Sequence, residues 1–143
     1  MKKIFFLLLV FTSLLFSQDI NLDKIIKNAT IANKPVYLFI HQTDCGYCES
    51  MIEFTFDDDK VKEELKKFVV VDLNIRNSGK ISYQGFEGTF KEFVVDIGFN
   101  FYPSSLFFEK SGELMYGQPG YIQEKEFLTL LQEMEVDFKQ TKR

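Results

Sequence analysis

The sequence predicts one α/β domain on a four-stranded mixed sheet flanked by helices, and three observations carry that reading. Segments of helical period alternate with short runs rich in β-branched and aromatic residues. The runs at residues 36–40 and 68–75 are separated by a helical pattern, so they should be parallel strands joined by a right-handed crossover. The runs at 104–109 and 113–117 flank Lys110-Ser111-Gly112, a hairpin turn with glycine where a positive φ is needed. A chain of 143 residues, 45% apolar and 27% charged, has room for one domain with a real core and too little for two.

The N-terminus stands apart. Lys2 and Lys3 precede an uncharged apolar run over residues 4–16, and Ser17-Gln18-Asp19 follow. This layout predicts a signal peptide over residues 1–17, with the domain at 18–143. An uncleaved anchor is the alternative, although the run is short of the roughly 20 apolar residues that span a bilayer. The two lysines suggest a bacterial signal and hence a periplasmic protein, in a compartment where disulfides persist. Loss of Lys2 and Lys3 takes the formal charge from −4 to −6, which argues against nucleic acid as a partner.

Within the domain, Asn21 can cap a first helix with Leu22, Ile25, Ile26 and Ala29 inward, stopped by Asn33 and Pro35. The continuous apolar run 36–40 reads as a strand buried on both faces. A helix should begin near Asp44 and Cys45, with Cys48, Met51, Ile52 and Phe56 inward. Asp57, Asp58 and Asp59 suit the start of a second helical piece carrying Val61, Leu65 and Phe68. Residues 76–88 show no sustained period and read as a long surface loop pinned by Tyr83 and Phe86. Thr89 and Glu92 form a capping-box pattern for a helix with Phe90, Phe93, Val94 and Ile97 inward and Gly98 as its stop. After the hairpin, Gly117 and Gly120 should break the pattern. A last helix over 123–138 turns Phe127, Leu130, Leu131 and Met134 inward, and residues 139–143 should fray.

The chemistry-bearing stretch is Cys45-Gly46-Tyr47-Cys48, which holds the two cysteines of the chain just past a strand end. Junctions of that kind are where open α/β sheets build their sites. A cysteine at a helix start meets the positive end of the helix dipole, which favours its thiolate. Cys45 is then the nucleophile. Cys48, one turn on, is the resolving thiol that attacks a mixed disulfide. A zinc site lacks ligands, because His41 is the only histidine, and haem attachment lacks the His that Glu49 replaces. A purely structural disulfide stays open, although so short a loop constrains the unfolded chain little.

With Pro103 directly before the third strand, these features resemble the thioredoxin superfamily over about residues 21–138. The stretch Phe101-Tyr102-Pro103-Ser104-Ser105-Leu106-Phe107-Phe108 is similar to exported bacterial thioredoxin-like proteins. Among these are the sulfur-oxidation thioredoxins and the C-terminal domain of the transmembrane disulfide reductase. The resemblance implies a thioredoxin fold, a cis Pro103 facing the cysteines, and a substrate segment bound along Tyr102, Pro103, Gly46 and Tyr47. It implies a thiol–disulfide oxidoreductase acting on protein disulfides or thiols as reductase or isomerase, with a membrane thiol–disulfide reductase as electron donor and no metal or cofactor. The sequence departs from the family at Asp44, where an aromatic is usual, and at Phe39, where an acid is often buried as proton acceptor. His41 is the candidate for proton transfer in its place. The alternative functions are a redox-inert binding module using the Tyr102-Pro103 groove and a Cu(I)-handling thiol protein.

Overall fold

The computed structural model describes residues 18–141; the predicted signal peptide at 1–17 lies outside them. A central sheet of four strands has the order β3-β2-β6-β7, with β2 Val36–His41, β3 Val69–Asn74, β6 Ser104–Phe108 and β7 Leu114–Pro119. Strand β2 pairs parallel with β3 and antiparallel with β6, and β6 pairs antiparallel with β7. This is the expected mixed sheet. All six residues of β2 are buried, as its unbroken apolar run requires.

The sheet separates two apolar cores. On one face, Val36, Leu38 and Ile40 pack with Leu22 and Ile26 of helix α1 (Leu22–Ile31) and with Phe90 and Phe93 of helix α4 (Phe90–Asp96). On the other, Tyr37 and Phe39 pack with Met51, Val61 and residues of helix α5 (Glu124–Gln140). Alternation along β2 therefore feeds both layers. The Tyr37 phenol is wholly buried and shares a hydrogen bond of 3.0 Å with the Ser105 hydroxyl. Burial raises its pKa well above the usual phenol range.

The predicted caps form. Asn21 Oδ1 accepts from Lys24 N–H at the start of α1. Asp58 Oδ1 accepts from both Lys60 and Val61 N–H at the start of helix α3 (Asp59–Leu65). Thr89 and Glu92 close both halves of a capping box on α4.

Four expectations are corrected. Residues 76–88 are not an irregular loop. Strands β4 (Lys80–Tyr83) and β5 (Phe86–Thr89) form a hairpin there, and β4 also pairs parallel with the short β1 (Ile20–Asn21) in a second, three-stranded sheet. Its two-residue turn has positive φ at Gln84 (47°) and Gly85 (84°), the geometry that matches strand twist. Tyr83 and Phe86 do pack against the first core, and Tyr83 Oη donates to Gly112 O at 2.9 Å.

The helix carrying the cysteines is also different. It is an α-helix only over α2 (Gly46–Ser50) and continues as a π-helical turn, Met51–Thr55, in which Phe56 N–H reaches Met51 O. The wider turn buries Thr55 and leaves Ile52 exposed, while Phe56 packs on the second core against Tyr37, Phe39 and Phe127 as expected. Gly117 does not break a strand but lies inside β7, because the Phe99 ring covers the place a Cβ would take. The C-terminal residues 139–141 are held rather than frayed. Helix α5 runs to Gln140, and Lys110 Nζ donates to the carbonyls of Lys139 and Thr141 beside the Phe138 ring.

Two measurements test this description. Thr89→Ala, which removes the exposed capping hydroxyl of α4, should lower the unfolding free energy by about 1 kcal/mol, read as a lower denaturant midpoint with an unchanged m-value. Glu135 accepts from Lys139 and also from Lys67 next to α3, and these cations, Lys139 first, hold its carboxyl at about 2 instead of 4.5. That depressed pKa adds stability above about pH 4.5 which is lost as pH falls through about 2. Acid titration of Glu135→Gln should therefore show a shallower loss across that window than the native protein.

Candidate active site

The site lies where three backbone segments end together. Strand β2 delivers residues 42–45, β3 runs parallel beside it, and β6 starts at Ser104, opposite Ile40. Asn74 Nδ2, at the end of β3, donates to Thr43 Oγ1 at 2.9 Å and ties the connection from β2 to α2. Asp44 takes φ 61°, a left-handed turn that swings the chain from strand into helix.

Cys45 is the N-cap of α2. Its Sγ accepts from Cys48 N–H at 3.3 Å, and its carbonyl accepts from Glu49 N–H at 3.0 Å. Cys45 and Cys48 are joined as a disulfide, with Cα atoms 5.2 Å apart. The two sulfurs are unequal: Cys48 is 1% exposed, while Cys45 is half-buried and open to solvent. A reagent from outside reaches Cys45 first. A Cβ added at Gly46 would meet nothing within 4 Å, so the backbone between the two cysteines faces open space there. Tyr47 stands beside it, 71% exposed.

Across the opening, Tyr102 O lies 3.9 Å from Cys45 Sγ. The Tyr102–Pro103 peptide is cis, and Pro103 is buried. Tyr102 precedes the first ladder pair of β6, and among the described residues its backbone N–H has no protein acceptor. Ser104 Oγ donates to Phe101 O at 2.6 Å and so fixes the turn that presents Tyr102. The structure thus brings Cys45, Cys48, Gly46, Tyr47, Tyr102 and Pro103 together at one end of the sheet.

His41 is placed differently. It is 8% exposed, its ring stacks on Phe39 at 4.8 Å, and its Nε2 bonds to Asp72 Oδ1 at 2.8 Å. A carboxylate only accepts, so Nε2 carries a proton in this bond. The hydrogen-bond partner of His41 is Asp72 rather than a sulfur. Sequence reading missed Asp72 because its strand partner Phe39 sits in β2 while its contact is with His41, two residues along the same face. Among the described residues no group of three or more His, Cys, Asp or Glu side chains is placed to hold a metal ion.

A half-exposed cysteine at a helix N-terminus, bonded to a buried one a turn later and facing an unused strand edge, is a thiol–disulfide exchange centre of the thioredoxin type. The chain belongs to the thioredoxin-like domain family, whose model matches residues 22–135. Solved structures agree on the fold. A thioredoxin-fold protein from Helicobacter pylori is 20% identical, with 78% of this chain and 76% of that one covered and a TM-score of 0.63. A thioredoxin from Thermus thermophilus is 21% identical, covering 85% and 89%, also at 0.63. The oxidised DsbD C-terminal domain of Neisseria meningitidis is 16% identical, covering 78% and 91%, at 0.57. No curated protein sequence matches the chain.

Asp44 puts a carboxylate one residue from the exposed sulfur, where a negative charge opposes a thiolate. In the reduced protein, Asp44→Asn should raise the rate of Cys45 alkylation by iodoacetamide at pH 7 by about two- to fivefold. An unchanged rate would show that solvent screens this carboxylate from the sulfur.

Proposed function

We propose that the protein is a periplasmic thiol–disulfide oxidoreductase that reduces or isomerises protein disulfides. The observation that carries this reading is the inequality of the two sulfurs, Cys45 open and Cys48 sealed, at the start of one helix. The apolar run over residues 4–16, read as an export signal, supports the compartment.

In the reductive direction, the Cys45 thiolate attacks one sulfur of a substrate disulfide. A Cys45–substrate disulfide forms and the other substrate sulfur leaves as a thiolate. Cys48 then gives up its proton and attacks Cys45 Sγ, which restores the internal disulfide and releases the second substrate thiol. Two electrons pass to the substrate, and a membrane thiol–disulfide reductase returns them to the pair. The substrate segment lies as an added strand along Tyr102, whose N–H is free to pair, over Pro103, Gly46 and Tyr47. His41 receives the Cys48 proton through water at Nδ1, while Asp72 holds Nε2–H and fixes the tautomer.

Replacing Cys48 by Ser should leave the first step intact and block the second, so Cys48→Ser should accumulate mixed disulfides through Cys45 in the periplasmic fraction. No adducts, together with a native pair that dithiothreitol cannot reduce, would leave only a structural disulfide in a redox-inert binding module. Equilibration with glutathione gives the direction: a potential near −120 mV, that of the strongest periplasmic oxidants, excludes the reductase role.

A further inference from the structure

The surroundings of Cys45 carry a chemical signature that exchange alone does not require. Two large apolar side chains in the segments that meet at the open sulfur stand in water. Tyr47 is 71% exposed in the first turn of α2, and Phe101 is 66% exposed next to Tyr102, whose carbonyl is 3.9 Å from Sγ. Side chains of this size left bare beside a reactive group mark a contact surface.

The charges around them have one sign. From Pro35 to Asp59 the chain holds no Lys or Arg, while Asp44, Glu49 and Glu53 are all exposed and, among the described residues, enter no ion pair. From Ile97 to Phe108 there is no charged side chain at all. Arg76 follows β3, on the opposite side of β2 from β6 and Tyr102. Lys125, in the first turn of α5, sits between Glu124 and Glu126. A segment lying along Tyr102 therefore meets aromatic surface and uncompensated carboxylates.

We infer that the preferred substrate is an extended polypeptide segment with a bulky apolar side chain beside its disulfide-bonded cysteine and a lysine or arginine within a few residues. The inference rests on the exchange reading above and specifies its substrate. The apolar side chain covers Tyr47 and Phe101, and the cation answers Asp44 and Glu49. Charge complementarity of this kind acts chiefly on the association rate, and it is screened by salt.

The test uses the dithiothreitol-reduced protein, freed of reductant, and peptides with a Leu-Cys core disulfide-linked to glutathione, flanked by Lys, Gln or Glu. At low ionic strength the Lys peptide should react about tenfold faster than the Glu peptide, and the ratio should approach one in 0.5 M NaCl. The double variant Asp44→Asn/Glu49→Gln should reduce that ratio to threefold or less. Phe101→Ser should lower the advantage of the Leu core over a Gly core. Equal rates for Lys and Glu peptides in the native protein would overturn the inference and leave the exchange activity standing. Failure to react with any peptide, and with oxidised glutathione alone, would instead remove the exchange reading on which it rests.

Discussion

Strand β2 is hydrogen-bonded on both edges and buried on both faces, and the whole disulfide end of the molecule depends on that. Its parallel partner β3 brings Asp72 and Asn74 alongside, and its antiparallel partner β6 starts where β2 stops. Ladder pairing is what sets Tyr102 across from Cys45, although 57 residues separate them in sequence. A one-residue slip in either ladder would exchange the faces of every side chain and take Phe39 and His41 out of the layer that holds Met51.

Much of this was legible in the sequence because it rests on local rules. Asn21, Asp58 and the Thr89–Glu92 pair announced their helices by capping chemistry, and residues 36–40 announced a central strand by an unbroken apolar run. What escaped was decided elsewhere in the fold. The β4–β5 hairpin has four-residue strands, too short for a period to stand out, and β4 is completed by β1 some 60 positions earlier. Its one local clue was Ile81 and Tyr83 alternating before Gln84-Gly85. A 3.6-residue period turns Ile52 inward, and the π-helical turn does not keep that period. Gly117 reads as a breaker until Phe99 is seen lying over it.

The site itself was legible in part. Cys45, Cys48 and the Tyr102–Pro103 dipeptide could be named from spacing and resemblance, because a strand end, a helix start and a proline before a strand all leave marks in sequence. The exposure difference between the sulfurs could not, since it depends on how α2 sits against the second core. Nor could the bond between His41 and Asp72. Phe39 fills a position where related proteins often bury an acid, and here the acid stands one strand over, joined to a histidine two residues further along β2. Pairing of charge with imidazole needs no buried carboxylate, so an apolar Phe39 is compatible with a polar group nearby.

The two cores meet the site from opposite sides. Met51, in the turn that continues α2, belongs to the core under α5, whereas Tyr102 packs against the core under α1 and α4. The 3.9 Å between Sγ and the Tyr102 carbonyl is therefore a gauge of how the two layers of the protein are aligned. A cavity opened in either core, even at a residue far from the sulfurs, shifts one jaw of the site relative to the other, and packing on both faces of β2 becomes part of what calibrates the redox centre.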